Sequence, residues 1–295
     1  MTYCQFVQAV EDKVREEVRG KICVTVHTAQ KNNGVSRVGL LLSEADNNVS
    51  PVIYLEEYYN CFLSGCSLEE IADDVLSLYH QMRLNKPWKE MDIRSYDAVC
   101  DRIVYRLINR EANEELLREV PHVPYLDLAI VFHVLFSSGE NGMASMLIKD
   151  DHMKMWQTDC KDIYQKACEN TERLLPYDFM SVFAAVEQLQ GIDPVRKRPE
   201  KEEDMFVLTN QMRSFGASAI LYSGRLREIG AYLKEDFYVL PGSVHETIIV
   251  RAGMAPEREV LDTIIRDINR TQVEKEEILS DRAYFYDRAH DKLTL

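Results

Sequence analysis

The chain has 295 residues, of which 46% are apolar and 28% are charged, and this composition is typical of a folded globular protein. Its 35 Lys and Arg residues against 49 Asp and Glu residues give a net charge of −14, which argues against a nucleic-acid or anionic-membrane binder. No apolar run approaches the ~18 residues of a membrane span, and the first residues lack the pattern of a secretory signal. We therefore expect a soluble cytoplasmic protein.

The seven cysteines show no spacing that is typical of a disulfide framework. Only Cys61 and Cys66 come near the close pairing that a structural zinc site needs, and four ligands would be required. We predict free thiols in a reducing compartment and no metal site.

The first residues predict a helix followed by a β-hairpin. Thr2 and Gln5 form a capping-box pattern, and apolar residues at helical spacing follow as far as Val18. Residues 22–26 alternate between apolar and polar, and Asn-Asn-Gly at 32–34 is typical of a tight turn before the partner strand.

Two helices are predicted next. The first begins at Ser50-Pro51 and ends at Gly65, and the second follows a capping box at Ser67 and Glu70. The region from Pro51 to Met82 contains six carboxylates and neither Lys nor Arg.

Tyrosines flanked by these carboxylates are typical of a docking surface for a basic or amphipathic protein partner. The predicted partner surface consists of Glu56, Glu57, Tyr58, Glu69 and Asp73. The alternative is a helical hairpin with an aromatic core and a solvated acidic face.

The middle of the chain predicts one helix, a buried hairpin and two more helices. The helix covers 95–110, and the hairpin strands cover 126–136 and 143–148. The two later helices cover 159–173 and 177–189.

Residues 196–204 carry charges of both signs and cannot enter a core, so they predict an exposed linker or loop. This segment divides the chain into an N-terminal part, 1–195, and a C-terminal part, 204–295. The C-terminal part is predicted to contain strands and helices in the following order: strands 205–209 and 217–222, helix 226–233, strands 237–240 and 244–250, a helix from Pro256, and strand 283–286. The fold class is α+β, with a mixed or antiparallel sheet, β-hairpins and several amphipathic helices.

Two stretches carry a resemblance to a known family. The first is PVIYLEEYY at 51–59 with GCSLEEI at 65–71, and the second is FVLTN at 206–210 with GA at 216–217 and YVLPGSVHE at 238–246. In order and spacing they resemble the bacterial domain of unknown function 5688, found mainly in gut Firmicutes, over nearly the whole chain. The resemblance implies a bacterial cytoplasmic protein and carries no assigned activity. The family usually has Ser-Ser where this chain has Gly242-Ser243.

The polar residues of the second stretch are the candidate binding site: Asn210, Ser243, His245 and Glu246. A His beside a carboxylate can act as a general base or a ligand. In the predicted strand 244–250, adjacent side chains point to opposite faces, so His245 and Glu246 would not act together. The alternative is that His245 caps loop backbone groups while Glu246 is solvated.

Two further groups of residues carry weaker signals. On an extended segment Asp150 and His152 would share a face, with His133 on the paired strand near them, as in a divalent-metal site. Residues 209–210 and 216–218 are small, which fits either a ligand close to the backbone or packing against a neighbouring strand.

No nucleotide-binding loop and no nucleophile motif is present in the sequence, and no cofactor is expected. We expect a non-enzymatic binding or regulatory module whose partner is a protein or a small molecule. The alternative is an orphan enzyme, such as a hydrolase, with a site around His245 and Glu246. The sequence does not predict an oligomeric state.

Overall fold

The computed structural model describes residues 1–20, 22–44, 50–84, 92–139, 142–190 and 204–295. The chain falls into two compact units, Met1–Met91 and Asp92–Leu295. Helices and antiparallel sheets occur in both units, which confirms the predicted α+β fold. Among the described residues, no helix is both long enough and apolar enough to cross a membrane.

Among its described residues, the first unit combines a three-stranded antiparallel sheet, in the order β1-β2-β3, with three α-helices. Its elements are α1 (Tyr3–Val18), β1 (Cys23–Gln30), β2 (Ser36–Ser43), β3 (Val52–Tyr54), α2 (Glu56–Leu63) and α3 (Leu68–Leu84). Both predicted capping boxes are formed. In the pair Thr2 and Gln5, and likewise in the pair Ser67 and Glu70, the backbone amide of each residue donates to the side-chain oxygen of the other. The core of this unit includes the fully buried side chains of Phe6, Leu40, Leu55 and Val75.

The helix predicted from Ser50 to Gly65 is wrong in its first half. Val52–Tyr54 forms β3, and the helix begins only at Glu56. Ile53 is buried and pairs with Leu40 of β2. The segment is too short for the spacing of its apolar residues to distinguish a helix from a strand, so pairing with the sheet determines its conformation.

The second unit begins with an antiparallel sheet in the order β4-β6-β5, in which β7 also pairs with β6. The elements up to α6 are α4 (Tyr96–Val99), β4 (Ile103–Asn109), β5 (His122–Tyr125), β6 (Leu128–Gly139), β7 (Gly142–Leu147), α5 (Asp150–Trp156) and α6 (Cys160–Leu174). The predicted hairpin of two strands is confirmed as β6 and β7.

The predicted helix 95–110 is wrong, because α4 ends at Val99 and β4 occupies 103–109. The six residues from Ile103 to Ile108 are all buried. A strand that is buried on both faces lacks the alternation of apolar and polar residues that would distinguish it from a helix.

The second sheet of this unit has six antiparallel strands in the order β13-β12-β10-β11-β9-β8. Its elements are β8 (Tyr177–Ser181), α7 (Val182–Leu189), β9 (Met205–Asn210), α8 (Arg225–Leu233), β10 (Phe237–Leu240), β11 (Thr247–Arg251), α9 (Arg258–Gln272), β12 (Tyr284–Asp287) and β13 (Lys292–Thr294). Its core includes Phe206, Leu208, Phe237 and Val239.

Four predictions in this region need correction. Residues 177–181 form β8 rather than the start of a helix, and Gly216–Leu221 is a three-ten helix rather than a strand. The strand predicted at 244–250 begins only at Thr247. The strand at 284–287 is not the last strand, because β13 pairs beyond it.

The predicted linker 196–204 lies outside the described residues except for Asp204. The strands that precede and follow it, β8 and β9, pair directly with each other in one sheet. The compact units divide after Met91, whereas the sequence placed the division of the chain at 196–204.

The expectation of free cysteines is wrong for one pair, because Cys61 and Cys66 form a disulfide. The chain turns back where α2 ends, with Gly65 at φ 110 and the Cys66 amide donating to the Cys61 carbonyl at 3.1 Å. This turn brings the two Cα atoms to 5.5 Å, within the range that a disulfide spans.

Candidate functional site

The segment 241–246 carries three of the four candidate binding residues, and its backbone is held by the chain at 277–280. The Val244 amide donates to the Glu277 carbonyl at 2.8 Å, and the Ser280 amide donates to the Pro241 carbonyl at 2.9 Å. Because His245 and Glu246 precede β11, the alternation of a strand does not separate their side chains.

The backbone amide of His245 and both of its ring nitrogens form hydrogen bonds with protein groups. Its backbone amide donates to the Ser243 Oγ at 3.0 Å, and its Nδ1 accepts from the Phe215 amide at 3.2 Å. Its Nε2 lies 3.1 Å from the Glu277 Oε1. Since Nδ1 accepts a hydrogen bond, the hydrogen-bond pattern assigns the proton of the neutral ring to Nε2, which donates to Glu277.

The residues after β9 lie against the same segment. The Thr209 Oγ1 donates to the His245 carbonyl at 2.7 Å. Asn210 is buried, and its Nδ2 donates to the Ser214 carbonyl at 2.9 Å, which closes the loop 211–214. A Cβ atom on Gly216 would lie 2.6 Å from the His245 carbonyl oxygen, so close packing accounts for this glycine.

Glu246 differs from its neighbours because its carboxylate accepts no hydrogen bond within the described chain. The side chain is half-buried, and this desolvation raises the pKa of Glu246. The charge of Glu277 adds to the increase in the pKa, while His245 and Arg213 oppose it. Among the four candidate residues, Glu246 is therefore the one whose side chain makes no hydrogen bond within the described chain.

Phe215 and Arg106 complete the arrangement, and sequence analysis did not identify either of them. Phe215 has a left-handed backbone, with φ 54, and its ring centroid lies 3.8 Å from the central carbon of the Arg106 guanidinium. The Arg106 side chain is 5% exposed, and its Nη2 donates to the Ser145 Oγ at 2.8 Å. The signal in the sequence is the single charged residue inside the otherwise apolar segment 103–108.

Comparison with known proteins gives one result. The chain matches the Family of unknown function (DUF5688) over residues 3–288. It belongs to this family. No curated protein and no solved structure matches the chain.

The membership confirms the resemblance of the two sequence stretches, and both stretches lie inside the matched range. In this DUF5688 chain, the segment 241–246 and the residues 209–217 of the second stretch contact each other directly. The description of the family assigns no activity to them.

The predicted partner surface lies in the first unit, and its members differ in exposure. The Glu56 carboxylate is half-buried, where Oε1 accepts from the Val38 amide at 2.6 Å and from the Tyr3 hydroxyl at 3.0 Å. Tyr58 is half-buried against the core of the unit, and burial raises its pKa. Both side chains therefore contribute to the packing of this unit.

The other members of the partner surface are open to solvent. Glu57 and Asp73 are exposed, and the exposed Glu69 pairs with the Lys13 Nζ at 2.9 Å. Together with the exposed Glu70 and Asp74 they form an acidic face on α2 and α3. The docking of a protein partner on this face stays a prediction.

The segment 150–152 is not extended, because α5 begins at Asp150. The His152 Nδ1 accepts from the Lys149 amide at 3.0 Å, which caps this helix, while His133 lies on β6. Among the described residues, no group of three His, Cys, Asp or Glu side chains is placed to hold a metal ion.

A surface hollow lies at the other end of β11, lined by Glu235, Asp236, Arg288 and Ala289. The Glu235 carboxylate there already accepts from the Arg251 guanidinium and from the Gly253 amide, both at 3.0 Å. These polar groups hold the turn after β11, so the hollow is a weaker candidate than the region around His245.

Proposed function

We propose that this DUF5688 chain is a non-enzymatic binding module. Its site is formed by residues 209–216 and 241–246 together with Glu277, and its ligand is a small molecule. The observation that carries the proposal is the use of both His245 ring nitrogens by protein groups, the Phe215 amide and the Glu277 carboxylate.

The same observation argues against the alternative, a hydrolase. A general base needs a free lone pair beside the group that it deprotonates, and the Nδ1 lone pair of His245 is already occupied. The Ser243 Oγ accepts from the His245 backbone amide, while the ring nitrogens of His245 bond Phe215 and Glu277, so Ser243 and His245 do not form the hydrogen bond of a nucleophile and its base.

The hydrogen bonds of His245 instead support a binding role. They join the loop after β9 to the segment before β11 and to Glu277, so these loops are ordered before a ligand arrives. Such pre-organisation lowers the entropy lost on binding. Glu246 remains available to contact the ligand, because its carboxylate is half-buried and accepts no hydrogen bond from the described chain.

The test combines a binding screen with a turnover assay on the full chain. Thermal-shift screening of organic acids, amines and sugars is run on the wild type, on His245→Ala and on a surface control, Glu259→Gln. We expect at least one compound class to stabilise the wild type and the control but not His245→Ala, since the loops lose their common anchor. The variant His245→Asn, whose oxygen can replace Nδ1 as acceptor, retains part of the effect.

The turnover assay uses p-nitrophenyl acetate and p-nitrophenyl phosphate. We expect the wild type to hydrolyse neither ester above the buffer rate. Hydrolysis by the wild type that disappears in His245→Asn, with unchanged melting, would contradict the binding proposal and establish the enzyme alternative.

A further inference from the structure

Arg106 is a buried cation whose hydrogen-bonding capacity is only partly used. It lies in the middle of β4 with 5% of its surface exposed. Its Nη2 donates to the Ser145 Oγ at 2.8 Å and contacts the Met143 Sδ at 3.0 Å. Its Nε is buried without an acceptor in the described chain.

No carboxylate of the described chain balances this charge. Desolvation lowers the pKa of Arg106 to about 9, and no acidic side chain opposes that effect. In other proteins, a buried arginine usually has an acidic side chain beside it, because a buried charge without a counter-ion is strongly unfavourable. The Phe215 ring compensates part of the cost through a cation–π contact.

The neighbouring polar groups lie on the same face of the sheet. His133 pairs with Val104, two residues from Arg106, and with Leu147, two residues from Ser145. The Ser145 Oγ lies 3.5 Å from the His133 Nδ1. Burial and the positive charge of Arg106 lower the pKa of His133 well below its usual value, so the imidazole is neutral at neutral pH.

The side chains around Arg106 are less completely covered than Arg106 itself. His133, Met143 and Ser145 are each half-buried rather than fully buried, although Arg106 beneath them is almost completely covered. A cation, a hydroxyl and a neutral imidazole therefore lie close together beside partly exposed side chains, and the Phe215 ring and the Met143 side chain flank the cation.

We propose that Arg106 binds the carboxylate group of a small organic acid, with Ser145 and His133 beside that carboxylate. The inference rests on the proposed binding function, and it names the chemical class of the ligand. One carboxylate matches the single charge of one guanidinium and its planar geometry. The Phe215 ring and the Met143 side chain suit the apolar body of an organic acid better than a hydrated inorganic ion.

Phe215 connects this anion site to His245. The ring that covers the Arg106 guanidinium belongs to the residue whose amide donates to the His245 Nδ1. The anchor at His245 therefore fixes the aromatic wall of the carboxylate site.

The experiment is an NMR titration of the full-length protein in which the imidazole signals of His133 are followed. The signals are assigned with His133→Gln, and ionic strength is held constant with sodium chloride. Benzoate, acetate and inorganic phosphate are the probes. The variants are Arg106→Met, Arg106→Lys and Ser145→Ala, with Arg102→Met as the matched control, because Arg102 is an exposed arginine just before β4.

We expect benzoate to shift the His133 signals saturably in the millimolar range and to raise the pKa of His133. Benzoate should bind more tightly than acetate and phosphate. Arg106→Met should weaken binding by about tenfold or more, because a charge-assisted hydrogen bond is lost, and Arg102→Met should not change it. Without benzoate, Arg106→Met should melt at the same temperature as the wild type or higher, since an uncompensated buried charge is removed.

Three results would overturn the inference: no saturable shift in the wild type, equal benzoate binding by Arg106→Met, or tighter binding of phosphate than of either carboxylate. Ser145→Ala covers the case in which Arg106→Met does not fold, because loss of benzoate binding by this variant supports the same site. These outcomes leave the binding proposal standing if the thermal-shift screen finds another ligand class, whereas ester turnover that depends on His245 removes the binding proposal itself.

Discussion

The adjacent residues His245 and Glu246 differ in the hydrogen bonding of their side chains. His245 has a partner for each ring nitrogen, whereas the half-buried carboxylate of Glu246 has none in the described chain. The sequence identified both residues and also offered backbone capping as the alternative role of His245. It could not assign the partners, because Phe215 and Glu277 lie about thirty residues away on either side.

Arg106 is a second residue whose surroundings could not be predicted from the sequence. A charged residue inside an apolar run can be read as an exposed helix position or as a buried strand position. Only the tertiary packing of β4, which buries both faces of the strand, decides between the two.

Glu246 leads to a prediction for stability as a function of pH. Burial raises its pKa in the folded state, so the wild type binds this proton more tightly when folded than when unfolded. Its favourable contribution is present below the unfolded-state pKa of ~4.3 and is lost as pH rises through the folded-state pKa. We expect Glu246→Gln to increase the free energy of unfolding at neutral pH, with a difference that shrinks in acid.

Urea unfolding of both proteins across the acidic to neutral range measures this difference. The exposed Glu259→Gln serves as the control and should follow the wild type. An equal effect of Glu246→Gln at every pH would show that lost packing, rather than ionisation, is responsible.

At the scale of elements, three helices that begin with side-chain caps were predicted closely. Thr2, Ser67 and Asp159 each bond a backbone amide in the first turn, and the helices after them were predicted within about two residues. The predictions for short segments such as 52–54 and 217–221 were wrong, because so few residues do not show whether apolar side chains repeat with the spacing of a helix or of a strand. There, pairing and packing with distant chain determine the conformation.

The Cys61–Cys66 disulfide gives a prediction at the same scale. It closes a loop with a sequence separation of 5, for which the chain-entropy relation gives a stabilisation of ~2 kcal/mol. We expect Cys66→Ser to lower the free energy of unfolding of the first unit by up to this amount. Thiol labelling under denaturing conditions, with and without reductant, establishes the oxidised state in the purified protein.

Cys23→Ser is the matched control, because Cys23 is a free, exposed cysteine of the same unit. If Cys66→Ser and Cys23→Ser have the same stability as the wild type, the disulfide does not contribute to folding.

At the scale of the whole molecule, the boundary between the compact units and the charged segment 196–204 lie at different places in the chain. The first compact unit ends at Met91 and the second begins at Asp92, while the charged segment 196–204 lies between strands that pair with each other. Charge density reports that a segment is solvated, and it carries no information about which strands neighbour each other. For the same reason the residues around the candidate site, from Arg106 to Glu277, could not be grouped before the fold was known.

The two units lead to a prediction for thermal unfolding. One core cluster contains only residues of the first unit, from Phe6 to Tyr79, so we expect two calorimetric transitions. Leu40→Ala and Leu208→Ala each remove a fully buried leucine side chain, at a cost of ~2–5 kcal/mol. Each variant should lower one transition and leave the other in place. A single transition that both variants lower equally would show that the chain unfolds as one cooperative unit.

The direct pairing of β8 with β9 has a practical consequence for protein engineering. The sheet fixes the positions of the two strand ends, whatever the length of chain between them. Since the entropy of closing a loop grows only with the logarithm of its length, extra polypeptide there costs little free energy. A fluorescent protein inserted between residues 196 and 203 would therefore report on the second unit from within the chain.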